Sequence, residues 1–192
     1  MLKQKLKPYN VILASGSPRR QQYFKDLDID FSIQVRQIEE RYPKELKGAE
    51  ITDFLADLKS KAFTDLQEED LLITSDTIVW LENKALGKPK DAKDAFKMLS
   101  ALSGKQHQVI TSISIKSAFF QKIINDITTV SFKELTAEEI NYYINTYKPF
   151  DKAGGYGIQE WIGFIGIDKI EGSYFNVVGL PVHKLYKELM NL

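Results

Sequence analysis

Segments with a helical repeat alternate with segments with a strand repeat along this chain, and that alternation limits its fold more than any other feature. Val11 to Ala14 is a short apolar run ending in Ser15-Gly16-Ser17-Pro18, which predicts a buried strand feeding a turn. Pro18 suits a first helical position with Ser17 as N-cap, and Tyr23, Phe24 and Leu27 give that helix an apolar face. Phe31 to Val35 predicts a second strand, and residues 39–50 a charged, exposed loop. Ile51, Phe54, Leu55, Leu58, Ala62 and Leu66 recur at helical spacing, the mark of an amphipathic helix. Leu71 to Thr74 predicts a buried strand, with Ile78 to Leu81 continuing extended.

Ala92, Ala95, Phe96 and Leu99 predict a helix beginning near Pro89. Residues 107–117 alternate as a half-buried strand does, with a partner expected within 122–133. Thr136-Ala137-Glu138-Glu139 is a capping box for a helix carrying Ile140, Tyr143, Ile144 and Tyr147, which Pro149 stops. Trp161 to Ile170 predicts a strand, and Val182, Leu185, Tyr186 and Leu189 a terminal helix. The fold class is α/β, mixed α+β, with a central sheet flanked by helices. No repeat, linker or boundary divides residues 1–192, so one domain is expected.

Lys plus Arg total 26 and Asp plus Glu total 26, a balance unlike that of proteins that coat nucleic acid. A small anion held by local cations is compatible with it. The chain has no cysteine, which excludes disulfides, thiolate metal sites and a cysteine nucleophile. No apolar stretch approaches the roughly 18 residues of a membrane span, and the first ten residues lack a signal-peptide core. A cytoplasmic protein without membrane or nucleic-acid partners is expected.

Ser15-Gly16-Ser17-Pro18-Arg19-Arg20 joins a strand end to a helix start. The open N–H groups of a first helical turn bind anions, and Arg19 and Arg20 oppose the helix dipole there. Guanidinium groups suit phosphate oxygens, so the pair is expected to serve an anion rather than the empty fold. A solvated basic turn is the plainer alternative. Asp76, after the apolar run, stands where a carboxylate holds a hard cation or takes a proton from water; closing a strand is the alternative for Ser75-Asp76-Thr77. Gly87-Lys88-Pro89 brings a cation to another helix start, or simply makes a turn. Lys61 lies about 80° from the centre of its helix's apolar stripe, at a flank from which it reaches a site or snorkels. Glu39 and Glu40 offer further carboxylates, or solvate a loop.

Residues 151–159 hold three glycines within four positions, and then Gln159. Such a run permits close approach of the backbone to a ligand, and the glutamine amide can pair with a base edge without separating uracil from cytosine. The two histidines, His107 and His183, stand far apart and are expected at a strand edge and a helix surface.

Residues 14–20, Ser75-Asp76-Thr77-Ile78-Val79, Gly87-Lys88-Pro89, residues 152–159 and residues 172–181 together resemble the motifs of the Maf family. They stand in the family's order and span nearly the whole chain. Gly155 and Ser75 occupy positions where the family usually has alanine. The resemblance implies a fold like that of the inosine triphosphate pyrophosphatases, an elongated mixed sheet flanked by helices with a cleft between two lobes. It implies a hydrolase converting a nucleoside triphosphate to the monophosphate and pyrophosphate, with Mg²⁺ or Mn²⁺ as cofactor, acting as a homodimer.

Asp76 matches the family's proton acceptor. Arg19, Thr77 and Gln159 match its specificity positions, in the combination of the branch acting on dTTP and UTP. Arg20, Lys61, Lys88 and Lys152 match substrate-binding positions, and Glu40 joins Asp76 as a metal ligand. Carboxylates are weak bases near neutral pH, so the metal would have to share the work on water. A regulator of cell division that binds nucleotide with little turnover is the alternative implied by the family's septum-formation name.

Overall fold

The computed structural model describes residues 1–192. Seven strands form one mixed sheet: β1 (Asn10–Leu13), β2 (Ser32–Ile33), β3 (Asp70–Leu81), β4 (Lys84–Leu86), β5 (Gln106–Lys116), β6 (Gln121–Phe132) and β7 (Ile167–Glu171). The order across it is β2-β1-β3-β5-β6-β7, with β4 paired to β3 off that path. β1 runs parallel to both neighbours, with Val11 opposite Leu71 and Leu13 opposite Ile73. β4 and β7 are antiparallel to β3 and β6. The helices are α1 (Leu2–Leu6), α2 (Pro18–Asp26), α3 (Ala49–Lys61), α4 (Ala92–Leu102), α5 (Ala137–Tyr147), α6 (Trp161–Gly166), α7 (Tyr174–Val178) and α8 (Val182–Met190).

The chain divides into two units, each with its own core. Unit 1 holds residues 1–76, 111–126 and 179–192; unit 2 holds 77–110 and 127–178. In unit 1, Leu13, Leu71 and Ile73 of adjacent strands pack with Phe24, Leu185 and Leu189. In unit 2, Ala95, Leu99 and Leu102 pack with Val109, Phe132, Tyr143 and Ile162. Each buried aliphatic side chain contributes about 1.5–3 kcal/mol, so each unit is stabilised by its own stripe of predicted core positions.

Side-chain caps mark the starts of α4 and α5. Thr136 accepts from the Glu139 N–H at 3.1 Å, and the Glu139 carboxylate accepts from the Thr136 N–H at 2.8 Å, completing the capping box. Asp91 caps α4 by accepting from the Asp94 N–H at 2.8 Å. Ser17 stands at the N-cap of α2 without a side-chain cap bond; Ser15 Oγ takes the Ser17 N–H at 3.3 Å.

Four sequence expectations change. Ser75-Asp76-Thr77 is no turn but the middle of the unbroken strand β3, and residues 71–76 are all buried. Two of the three polar side chains there find partners: Thr74 Oγ1 donates to the Ala56 carbonyl at 2.6 Å and Asp76 accepts from Lys59 at 2.6 Å, whereas Ser75 Oγ is buried without one. Trp161–Gly166 is helical and only Ile167–Glu171 is strand. A β-carbon on Gly163 would lie 1.8 Å from the Ile158 carbonyl oxygen, so glycine is what allows that helical turn to sit on the preceding loop. The second strand shrinks from five residues to Ser32–Ile33. His107 is 3% exposed rather than at a surface edge, whereas His183 is on an exposed face of α8.

Candidate active site

In unit 1 the polar residues converge at the first turn of α2, at Asp76 on β3, and at Lys59 near the end of α3. Lys59 Nζ lies 2.6 Å from Asp76 Oδ1 and 3.0 Å from Glu40 Oε1. Asp76 is 6% exposed, and Glu40 reaches the same ammonium from the irregular segment between β2 and α3. The structure thus brings together the two carboxylates singled out as metal ligands, around a lysine that sequence reasoning passed over.

Lys61 is placed differently. It pairs with Asp57 at 2.6 Å in an i,i+4 contact, with its side chain 66% exposed. The two-residue step between Lys59 and Lys61 turns a helical side chain by about 200°. Spacing from the apolar stripe leaves both on its borders, so the usable signal was the facing carboxylate, which periodicity does not show.

Arg20 is held on several sides. Its Nε donates to the Gly179 carbonyl at 2.8 Å, and its Nη1 to the Ser75 carbonyl at 3.0 Å and Ser15 Oγ at 3.5 Å. Burial pulls its guanidinium down from the ordinary value to about 10; Asp76 and Glu40 oppose the fall and Arg19 adds to it. It remains a cation at neutral pH. Arg20 therefore ties α2 to β3 and to the start of the C-terminal segment, and the expectation that it serves only an anion is corrected. Arg19 sits beside it, half-buried.

In unit 2 the glycine-rich segment folds back on itself. Ala153–Gly155 forms a 3-10 turn. Gly154 has φ +68°, and a β-carbon there would meet Val79 Cγ2 at 2.7 Å, so glycine is required. The Gly154 N–H donates to the Gly87 carbonyl at 2.9 Å, joining this segment to the turn that carries the exposed Lys88. Lys152 is 8% exposed, with its ammonium 2.7 Å from Asp151 and 3.0 Å from Glu160.

Tyr156 is buried against His107, with Nε2 and the phenol oxygen 2.7 Å apart. Phe132 packs edge-on to both rings. Burial drives the His107 value down to about 4 and the Tyr156 phenol well up, so both are neutral at physiological pH. Gln159 follows, half-buried, and its Oε1 is buried without a partner. Thr77 is half-buried on β3, directly after Asp76.

Asp76 and Glu40 are the carboxylates here that could hold a divalent cation. No three histidine or acidic side chains are grouped so that they could hold a metal ion by themselves. Two carboxylates that already share one cationic group suit an ion such as Mg²⁺, which takes one or two protein carboxylates and completes its shell with water and substrate phosphates.

The chain belongs to the Maf family: the family model described as Maf-like protein matches residues 10–192. A protein of Flavobacterium johnsoniae named dTTP/UTP pyrophosphatase is 58% identical, with the whole of both chains covered. One of the same name from Christiangramia forsetii is 60% identical, over 100% of this chain and 98% of its own. Another from Bacteroides fragilis is 50% identical over 96% of each chain. Among solved structures, a HAM1 protein from Coxiella burnetii matches with a TM-score of 0.52 at 17% identity, over 96% of this chain and 100% of its own. That likeness is one of fold. No helix is long and apolar enough to cross a membrane.

Proposed function

We propose that this chain is a nucleoside triphosphate pyrophosphatase that hydrolyses dTTP and UTP to the nucleoside monophosphate and pyrophosphate. The observation that carries the reading is the cluster of Asp76, Glu40 and Lys59 beside Arg19 and Arg20. A triphosphate brings about four negative charges, and its hydrolysis depends on positioning and charge stabilisation. Arg19 and Arg20 supply guanidinium forks for phosphate oxygens. Lys59 supplies a point charge at the carboxylate where water is to be deprotonated. Asp76 accepts the proton of the attacking water or orients it.

Asp76 and Glu40 would hold a divalent cation, which when bound supplies charge neutralisation on the phosphates. Lys88 is exposed and available to phosphate; Lys152 acts through the carboxylates that it holds. Thr77 and Gln159 select the base. Uracil and thymine present ring N–H and carbonyl groups, and the unmet Gln159 acceptor gains a bond when its amide turns onto such an edge. The reading extends to a homodimer in the cytoplasm, on the family resemblance.

The test is kcat/KM of Gln159→Glu for dTTP, UTP, CTP and GTP, with pyrophosphate release as the readout. Loss of the amide donor should lower dTTP and UTP roughly 5- to 150-fold, the equivalent of about 1–3 kcal/mol. GTP should change far less. An equal fall for all four would refute base reading by Gln159. Absence of pyrophosphate release with every triphosphate and either Mg²⁺ or Mn²⁺ would refute the enzyme reading in favour of a nucleotide-binding regulator.

A further inference from the structure

We infer that Tyr143 is a positioning residue for base selection: its hydroxyl fixes the turn 157–160 and thereby aims Gln159. The inference rests on the proposal that Gln159 reads the base. Tyr143 lies on α5 and is fully buried. Its phenol oxygen accepts from the Gly157 N–H at 3.0 Å, while its O–H donates to the Glu160 carboxylate. One hydroxyl therefore holds both ends of the four-residue turn that contains Gln159. The Glu160 N–H closes the same turn onto the Gly157 carbonyl at 3.0 Å.

The other Glu160 oxygen is taken by Lys152 at 3.0 Å, so the carboxylate is gripped from two directions. Gly157 leaves no slack on the inner side. A β-carbon there would stand 3.0 Å from Gln159 Nε2 and 2.9 Å from Glu160 Cδ. The Gln159 amide thus lies against bare backbone whose direction is set by the bond to Tyr143. Burial raises the Tyr143 phenol well above its ordinary value, with the Glu160 hydrogen bond adding to the shift, so the hydroxyl keeps its proton and both of its roles throughout the range of ordinary assays.

A bulky buried phenol is not needed for packing alone, since phenylalanine would fill nearly the same volume. What tyrosine adds is one donor and one acceptor, and both are spent on the Gln159 turn. A displacement of that turn by a fraction of an ångström weakens a directional amide–base pair while leaving charge contacts to phosphate almost unchanged.

The experiment compares Tyr143→Phe, Gln159→Ala and the double variant by kcat/KM for UTP, dTTP, CTP and GTP. Tyr143→Phe should lower UTP and dTTP about tenfold and GTP less than about threefold, so the UTP:GTP ratio falls. In the Gln159→Ala background, Tyr143→Phe should leave that ratio where Gln159→Ala put it, because the two act on one contact. A merely structural tyrosine would lower all four substrates together, and that result would overturn the proposal. A ratio shift of full size persisting in the double variant would overturn it as well.

If Gln159→Ala shifts the ratio and Tyr143→Phe does not, the positioning role fails while base reading stands. If Gln159→Ala leaves the ratio unchanged, both fail. Should Tyr143→Phe not fold, Glu160→Gln removes the charge that Tyr143 and Lys152 grip. It should move the ratio in the same direction, and a uniform fall across the four substrates would refute the proposal.

Discussion

The two units place their polar groups by different mixtures of means. In unit 1 ions are set against ions: Lys59 stands between Asp76 and Glu40, and Arg20 lies close to both acids. In unit 2 one ion cluster, Lys152 with Asp151 and Glu160, is joined around Gln159 by neutral groups: a phenol, an imidazole, glycine backbone and aromatic edges. Ion clusters can exchange one partner for another with little movement, which suits a charged ligand that comes and goes. Neutral hydrogen bonds are directional, which suits discrimination between substrates of equal charge. On the proposed function, recognition of charge and recognition of shape would draw on different chemistry in separate parts of one chain.

The largest expected effect tests the ionic half. Asp76→Asn is nearly isosteric and should lower kcat at least about 1,000-fold, roughly 4 kcal/mol of barrier. Circular dichroism should be unchanged, because Lys59 keeps Glu40. Retention of more than about a tenth of wild-type kcat would remove Asp76 from the chemistry.

The next effect belongs to the neutral half. The His107 value is about 4 when folded against an ordinary 6.5, so as pH falls the unfolded chain takes up the proton first. The stability that depends on neutral His107 is full above about pH 6.5 and is lost as pH falls towards 4. Its size is up to about 3 kcal/mol. Urea unfolding between pH 4.5 and 7 should show a steeper fall for wild type than for His107→Gln. Parallel curves would show that the imidazole is not the titrating group.

The smallest effect separates two neighbours on α3. Lys59→Ala should lower kcat/KM about tenfold or more, the loss of about 1.4 kcal/mol. Lys61→Ala, removing an exposed i,i+4 pair, should change it less than about threefold. The reverse ranking would return the substrate-facing role to Lys61.

Much of the fold was legible in periodicity. The stripe Ile51, Leu55 and Leu58 does form α3, the alternation of 107–117 is β5, and the capping box starts α5 where its residues say. The failures share a cause. Residues 161–166 carry apolar side chains compatible with either repeat, and the deciding fact is a carbonyl oxygen beneath Gly163, a contact that the local pattern does not encode. The middle of β3 carries Ser, Asp and Thr, which favour turns, yet it lies between β1 and β5 in the sheet, with Thr74 and Asp76 reaching Ala56 and Lys59 on α3.

The site divides in the same way. Arg20 and Asp76 stand in motifs and Glu40 in a charged loop, and the structure draws the three together. Lys59 and Tyr143 are not legible in that way, because the partner of each, Asp76 or Glu160, is 17 residues distant in sequence. His107 is expected at a strand edge and proves buried, because alternation on a strand does not say how deeply a polar position lies. Its phenol partner comes from a loop 49 residues away.

The division into two cores has a spectroscopic consequence. The chain has two tryptophans, Trp80 on β3 and Trp161 on α6, and both fall in the second unit. Indole emission during denaturation therefore follows the loss of that core alone, while ellipticity sums the helices of both. Coincident transitions by the two probes would mark the chain as one cooperative body. Separated transitions would give each half its own midpoint without a label or a mutation.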